Sequence, residues 1–228
     1  MDPLQLREKE IFETLKGIKS LEFVVIGGYA ASAYAPPRFS VDCDIVARTA
    51  SEARKIGARL KELGYKRISA GTAEAAYGGA FERFGKVLPN GFVASVDLLI
   101  ASVADRGTSA VFTADWIFGN SSLRGLRGRT IAERLPLRIL DPDALFVMKA
   151  VSCRPSDIRD VFMLAPLIED LGWVLAGISE RCDANVTRGR ILRAVDSKQF
   201  KDGLQGVFGR LDKKLFERHR DALGRIFK

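Results

Sequence analysis

Apolar and polar positions along this chain switch between helical and strand periods, and the switches lay out its elements. Leu4, Leu6, Ile11, Leu15 and Ile18 follow helical spacing, which predicts an amphipathic helix ending near Gly17. Residues 21–26 read as a strand, and the alanine-rich residues 29–35 as a short helix stopped by Pro36-Pro37. A second strand carries Ile45-Val46-Ala47. Residues 51–63 read as a helix with Ile56, Leu60 and Leu63 inward and Gly64 as its stop. Residues 65–69 are a candidate strand and residues 70–79 a loop. Residues 81–84 and 92–100 are candidate strands joined through the turn Pro89-Asn90-Gly91.

Residues 104–130 show no sustained period, and residues 135–139 read as the last short strand. Asp141 is then the expected N-cap of a helix with Pro142 in its first position. From there the pattern is helical to the end. Breaks are expected at Pro155, around Gly172 to Gly177 and around Gly203 to Gly209, with Ser156 as a cap. The expected fold class is α+β: a small mixed β-sheet flanked by helices over residues 1–140, then an all-helical domain over residues 141–228.

Composition narrows the function classes. With 47% apolar and 28% charged residues, the 228-residue chain has the make-up of a soluble protein with a full core. Its first ten residues are charged, so no signal peptide is expected. The longest apolar stretch, residues 23–35, is broken by two glycines and is too short for a bilayer, so no membrane partner is expected. Cys43, Cys153 and Cys182 lack metal-type spacing and read as reduced, buried thiols, which points to the cytoplasm. His219 reads as a solvated helix residue, and Trp116 and Trp173 as core or interface residues. Net charge is +8 and unevenly placed: residues 181–228 hold 13 Lys/Arg against 6 Asp/Glu, leaving 23 against 22 in residues 1–180. A nearly neutral first part joined to a basic tail region points to a polyanionic partner, most simply nucleic acid.

The chemistry concentrates around Gly27-Gly28-Tyr29 and Arg38-Phe39-Ser40-Val41-Asp42-Cys43-Asp44. Two aspartates one residue apart on a strand share a face, and such like charges are costly unless a cation sits between them. A glycine turn beside them can hold phosphates through its amides, as Mg²⁺-dependent phosphoryl chemistry requires. Asp97, inside the apolar run of residues 93–100, is expensive to bury unless paired or metal-bound, and it completes a candidate two-metal site with Asp42 and Asp44. It is also the nearest candidate general base. Lys149 follows Leu145-Phe146-Val147-Met148, so its stem reads as buried, and its ammonium can neutralise triphosphate charge. Asp157 and Asp160 share a helix face with three-residue spacing. Taken alone, this second cluster is better accounted for by a structural Lys149–Asp160 or Arg154–Asp157 salt bridge.

The order Gly-Gly-Tyr-Ala, then Arg-x-Ser-x-Asp-x-Asp-Ile, resembles the nucleotidyltransferase fold shared with DNA polymerase β. The later Lys149, Arg154, Asp157 and Asp160 are similar to the AbiEii/AbiGii toxin branch, whose relatives include the MenT toxins. The resemblance spans roughly residues 20–165. It implies a phosphate-holding turn at Gly27 and Gly28, with Arg38 and Ser40 beside the nucleotide. It also implies Mg²⁺, two ions, at Asp42, Asp44 and Asp97, a triphosphate contact from Lys149, and the acid of the last motif at Asp157 or Asp160. Ala35 stands where a glycine usually follows the short helix, Ser40 replaces the commoner threonine, and Ser156 stands where a basic residue often precedes the aspartate.

The function implied is transfer of a nucleoside monophosphate from an NTP to an RNA acceptor, the tRNA 3′ end in known cases, by a toxin paired with an antitoxin. The basic C-terminal half would bind the RNA. Two alternatives stand beside it. One is transfer to a protein hydroxyl or to a small molecule, as in antibiotic-modifying enzymes. The other is a non-catalytic nucleic-acid-binding module.

Overall fold

The computed structural model describes residues 2–68, 80–89, 91–209 and 212–228. The loop expected at residues 70–79, the end of the third strand at Ser69 and the turn residue Asn90 lie outside the described residues. The chain divides into two compact units, Met1–Ala33 with Pro37–Leu140, and Tyr34–Pro36 with Asp141–Lys228.

The first unit opens with α1 (Pro3–Ile18), which Asp2 caps by accepting the Leu4 amide at 3.2 Å while Pro3 fills the first position. Its stripe Ile11, Leu15 and Ile18 is fully buried. There follow β1 (Val24–Val25), α2 (Gly27–Tyr34), β2 (Asp42–Ala47), α3 (Ala50–Glu62), β3 (Lys66–Ile68), β4 (Ala80–Val87) and β5 (Val93–Ile100). A reciprocal Thr49–Glu52 capping box starts α3, and Gly64 at φ +89° turns the chain out of it. β6 (Ser102–Ala104), β7 (Val111–Thr113), α4 (Ala114–Gly119), β8 (Ser121–Leu126) and β9 (Leu135–Leu140) complete the unit.

Seven strands form one mixed sheet in the order β3-β4-β5-β2-β1-β9-β8, and β6 pairs with β7 apart from it. The pairs β2/β5 and β1/β9 are parallel and the others antiparallel. β5 lies between β4 and β2, which explains its largely apolar make-up: Ala94, Val96, Leu98 and Leu99 are all fully buried. The fold class read from the pattern therefore holds, with a larger sheet than expected. Residues 104–130 are the correction. They form β7, α4 and β8, because Thr113 caps α4 through the Trp116 amide at 3.2 Å and β8 pairs along its whole length with β9, Ser121 opposite Leu140 to Leu126 opposite Leu135. β8 is an edge strand defined by a partner nine residues downstream, so it has no apolar period of its own.

The second unit is helical: α5 (Pro142–Ser152), α6 (Pro155–Leu164), α7 (Leu171–Ser179), α8 (Ala184–Asp196), α9 (Lys198–Phe208) and α10 (Lys213–Ile226). Asp183, Ser197 and Asp212 cap α8, α9 and α10 through side-chain oxygens. Ser156 does not cap α6; the helix starts one residue earlier at Pro155, with Arg154 in the capping place. The glycines expected to break helices lie within them. Gly177 sits in α7 where an added Cβ would come 3.2 Å from Val147 Cγ2, so its missing side chain lets α7 approach α5. Gly203 and Gly206 lie inside α9, and Gly209 ends it at φ +80°.

His219 is not a solvated residue. It is buried, stacks on Phe162 with centroids 5.4 Å apart, and its Nδ1 lies 2.8 Å from the Leu215 carbonyl. A carbonyl only accepts, so Nδ1 carries the proton. Burial holds the ring's pKa below the usual histidine value. No helix among the described residues is long and apolar enough to cross a membrane.

Candidate active site

Two neighbouring parallel strands build the acidic centre. β2 and β5 pair with Asp42 opposite Ser95 and Asp44 opposite Asp97. The two-residue repeat of a strand then puts all four side chains on one face of the sheet. Oxygens of Asp42, Asp44 and Asp97 lie within 4.8 Å of one another. Asp97 and Asp44 are buried and Asp42 is half-buried. Three hard oxygen donors this close fit a hard divalent cation such as Mg²⁺, which takes carboxylates and retains water.

The glycine turn lies directly on these acids. Gly27 has φ +68°, and a Cβ there would sit 2.0 Å from Asp44 Oδ2. A Cβ on Gly28 would lie 2.5 Å from Ser40 Oγ and 3.1 Å from an Arg38 guanidinium nitrogen. Only glycine therefore fits at either position while Asp44, Ser40 and Arg38 keep their places. The Ile26 amide donates to the Asp44 carbonyl at 3.0 Å and ties β1 to β2 just before α2 begins. Ser32 Oγ donates to the Gly28 carbonyl and accepts the Arg38 amide, fixing the return from α2. Gly27, Gly28, Arg38, Ser40, Asp42, Asp44 and Asp97 thus come together in the first unit, at the first turn of a helix whose dipole favours anions.

One member of this centre has no signature in the local pattern. Arg83 on β4 sits opposite Asp97 on β5 and forms a two-bond fork with it, Nε to Oδ1 at 2.7 Å and Nη2 to Oδ2 at 2.5 Å. Its Nη2 is also 3.6 Å from Asp42 Oδ2. The hairpin itself held the signal: five residues between Val87 and Val93 put those two opposite each other, and counting back pairs Arg83 with Asp97. Burial pushes the Asp97 carboxyl above the usual range, Arg83 opposes that shift, and Asp42 adds to it. Cys43, between the two acids in sequence, is fully buried with its thiol pushed well up by burial and then by Asp44, Asp42 and Asp97. It is a neutral core residue.

The second unit gathers the remaining candidates. Lys149 Nζ, near the end of α5, lies 2.7 Å from Asp157 Oδ1 and 3.1 Å from Asp160 Oδ2, both on α6. Ser152 Oγ donates to the other Asp157 oxygen at 2.8 Å. Both acids are buried, so one lysine serves both.

No protein-family model matches this sequence, and no curated protein matches it. The fold nevertheless has a likeness among solved structures, and the acidic centre sits on the mixed sheet of the first unit. Among solved structures the chain is similar to MenT4, a nucleotidyltransferase toxin from Mycobacterium tuberculosis H37Rv. The TM-score is 0.61 at 12% identity, over 98% of this chain and 83% of that one.

Proposed function

We propose that this protein is a Mg²⁺-dependent nucleotidyltransferase that moves a nucleoside monophosphate from an NTP to an RNA acceptor, the 3′ end of tRNA. The observation that carries the reading is the meeting of Asp42, Asp44 and Asp97 under the Gly27-Gly28 turn on a nucleotidyltransferase fold. In the reaction an acceptor hydroxyl attacks the α-phosphorus, the bond to the bridging oxygen breaks and pyrophosphate leaves. The hydroxyl proton passes to Asp97, the most deeply buried carboxylate of the centre and its nearest candidate base. Asp42, Asp44 and Asp97 would hold the metal, which supplies charge neutralisation for the triphosphate and lowers the pKa of an acceptor hydroxyl. The amides of Gly27 and Gly28 receive phosphate oxygens, with Arg38 and Ser40 beside the nucleotide. Within the second unit, Asp157 and Asp160 hold the ammonium of Lys149 in place.

The RNA is bound by the basic second unit, where Arg188, Arg190, Arg193, Lys198, Lys201, Lys213 and Lys214 are exposed. A toxin, by likeness to MenT4, is the biological setting this reading carries, with an antitoxin partner and a cytoplasmic location as further parts of the proposal. The test incubates the protein with total tRNA, Mg²⁺ and each α-labelled NTP in turn, beside Asp44→Asn. Label in RNA with the wild type alone supports the reading. Label on protein changes the acceptor, and no label in any fraction with RNA still bound favours the non-catalytic module.

A further inference from the structure

Asp97 is the deepest member of the acidic centre, with no exposed side-chain surface. Both of its oxygens accept from one guanidinium, Arg83 Nε to Oδ1 and Nη2 to Oδ2, and the same Nη2 lies 3.6 Å from Asp42. The backbone enforces this contact, since β4 and β5 pair with Arg83 opposite Asp97. The fork is a planar two-bond arrangement, the strongest and most directional form of a carboxylate pair. Three carboxylates within 4.8 Å repel one another, and a fixed monocation already compensates one of them.

We infer that Arg83 is a built-in counter-cation for the Asp97 side of the acidic centre, so that the nucleotide-free protein takes up one divalent cation, at Asp42 and Asp44, and a second reaches Asp97 only when the guanidinium leaves. This rests on reading the centre as a metal site. A small divalent ion demands close, near-octahedral oxygen contacts and sheds water reluctantly. To ligate Asp97 it would have to break two charge-assisted bonds and sit against a positive group, at a carboxylate that water does not reach. The guanidinium leaves when it is offered another bidentate anion, and an oxygen pair of a triphosphate is one. Arg83 is then a positioning residue that ties release of the Asp97 oxygens, and with them the base, to arrival of the nucleotide. Its side chain is 24% exposed, so an arriving anion can reach it.

The experiment titrates Mn²⁺ into the full chain and counts bound ions from the loss of the free-ion paramagnetic signal. Wild type without nucleotide should bind one ion, rising to two on addition of a non-hydrolysable NTP. Arg83→Met should bind two without nucleotide, or one about ten-fold more tightly, since a lost unit charge at contact distance outweighs strong screening. Arg83→Lys, which keeps the charge without the fork, should fall between them. Metal-free Arg83→Met should melt lower than wild type, and Mn²⁺ should restore it. Should Arg83→Met fail to fold, the nucleotide-free count of the wild type and of Arg83→Lys decides, since an NTP brings a Mn²⁺ on its own phosphates. Two ions in nucleotide-free wild type, or a count and affinity unmoved by either substitution, overturn the inference and leave the metal site standing. No ion in any variant overturns both. The one-to-two pattern without label transfer keeps the inference and removes only the proposed reaction.

Discussion

At the residue scale the acidic centre tolerates little change. Gly27→Ala would place a methyl 2.0 Å from the Asp44 carboxylate at a left-handed backbone position. Strain and overpacking together predict a loss of about 2 kcal/mol in stability and loss of label transfer, read by thermal melting and the tRNA assay. Lys149→Met removes the cation shared by two buried acids. Leaving Asp157 and Asp160 facing each other should cost about 3 kcal/mol or more, partly relieved by Asp160→Asn in the same chain, as denaturant melts would show. A double variant no more stable than the single would mean that the charge pair is not what holds α5 on α6.

At the scale of elements, α10 carries a pH dependence. His219 has a folded-state pKa below its ordinary value because it is buried against Phe162 on α6 and lies next to Arg218. The unfolded chain therefore binds the proton first, and the stability this burial contributes is present above about pH 6.5 and lost as the pH falls below it. Melting temperature should drop between pH 7 and pH 5, and His219→Gln should flatten that slope. An unchanged slope would place the acid sensitivity elsewhere. Elements also differ in how far the sequence announces them. α1 and α3 carry their own caps and stripes and were readable. β8 was not, since its pairing comes from β9, and neither was the interior glycine of α7, since Val147 on another helix gives it its place.

For the whole molecule, the proposed function makes charge the control on RNA binding. Affinity for tRNA should fall steeply with salt, and each arginine contact removed from the exposed set Arg188, Arg190 and Arg193 should lower the slope by roughly 0.7 to 0.9. Fluorescence anisotropy across a salt series checks this, and a slope unchanged in the triple Ala variant would move the RNA site off α8. Alanine substitutions at these exposed positions should leave stability within about 0.5 kcal/mol.

What the sequence alone determined is what short-range chemistry controls: the α+β class, the order of most elements, and the nomination of Gly27, Gly28, Asp42, Asp44 and Asp97 from residue type and spacing. Side-chain alternation on one strand is local, so Asp42 and Asp44 could be put on one face without any structure. Tertiary structure alone decided what depends on register between strands and on packing between helices. It set Asp97 beside Asp44 through the β2/β5 pairing, brought Arg83 onto Asp97 across the hairpin, and buried His219 against Phe162. The reason is physical. A residue's intrinsic preferences are written in its own neighbourhood, whereas a one-residue slip in register would turn Asp97 and Arg83 to the opposite face of the sheet, and the packing of α10 on α6 alone gives His219 its place.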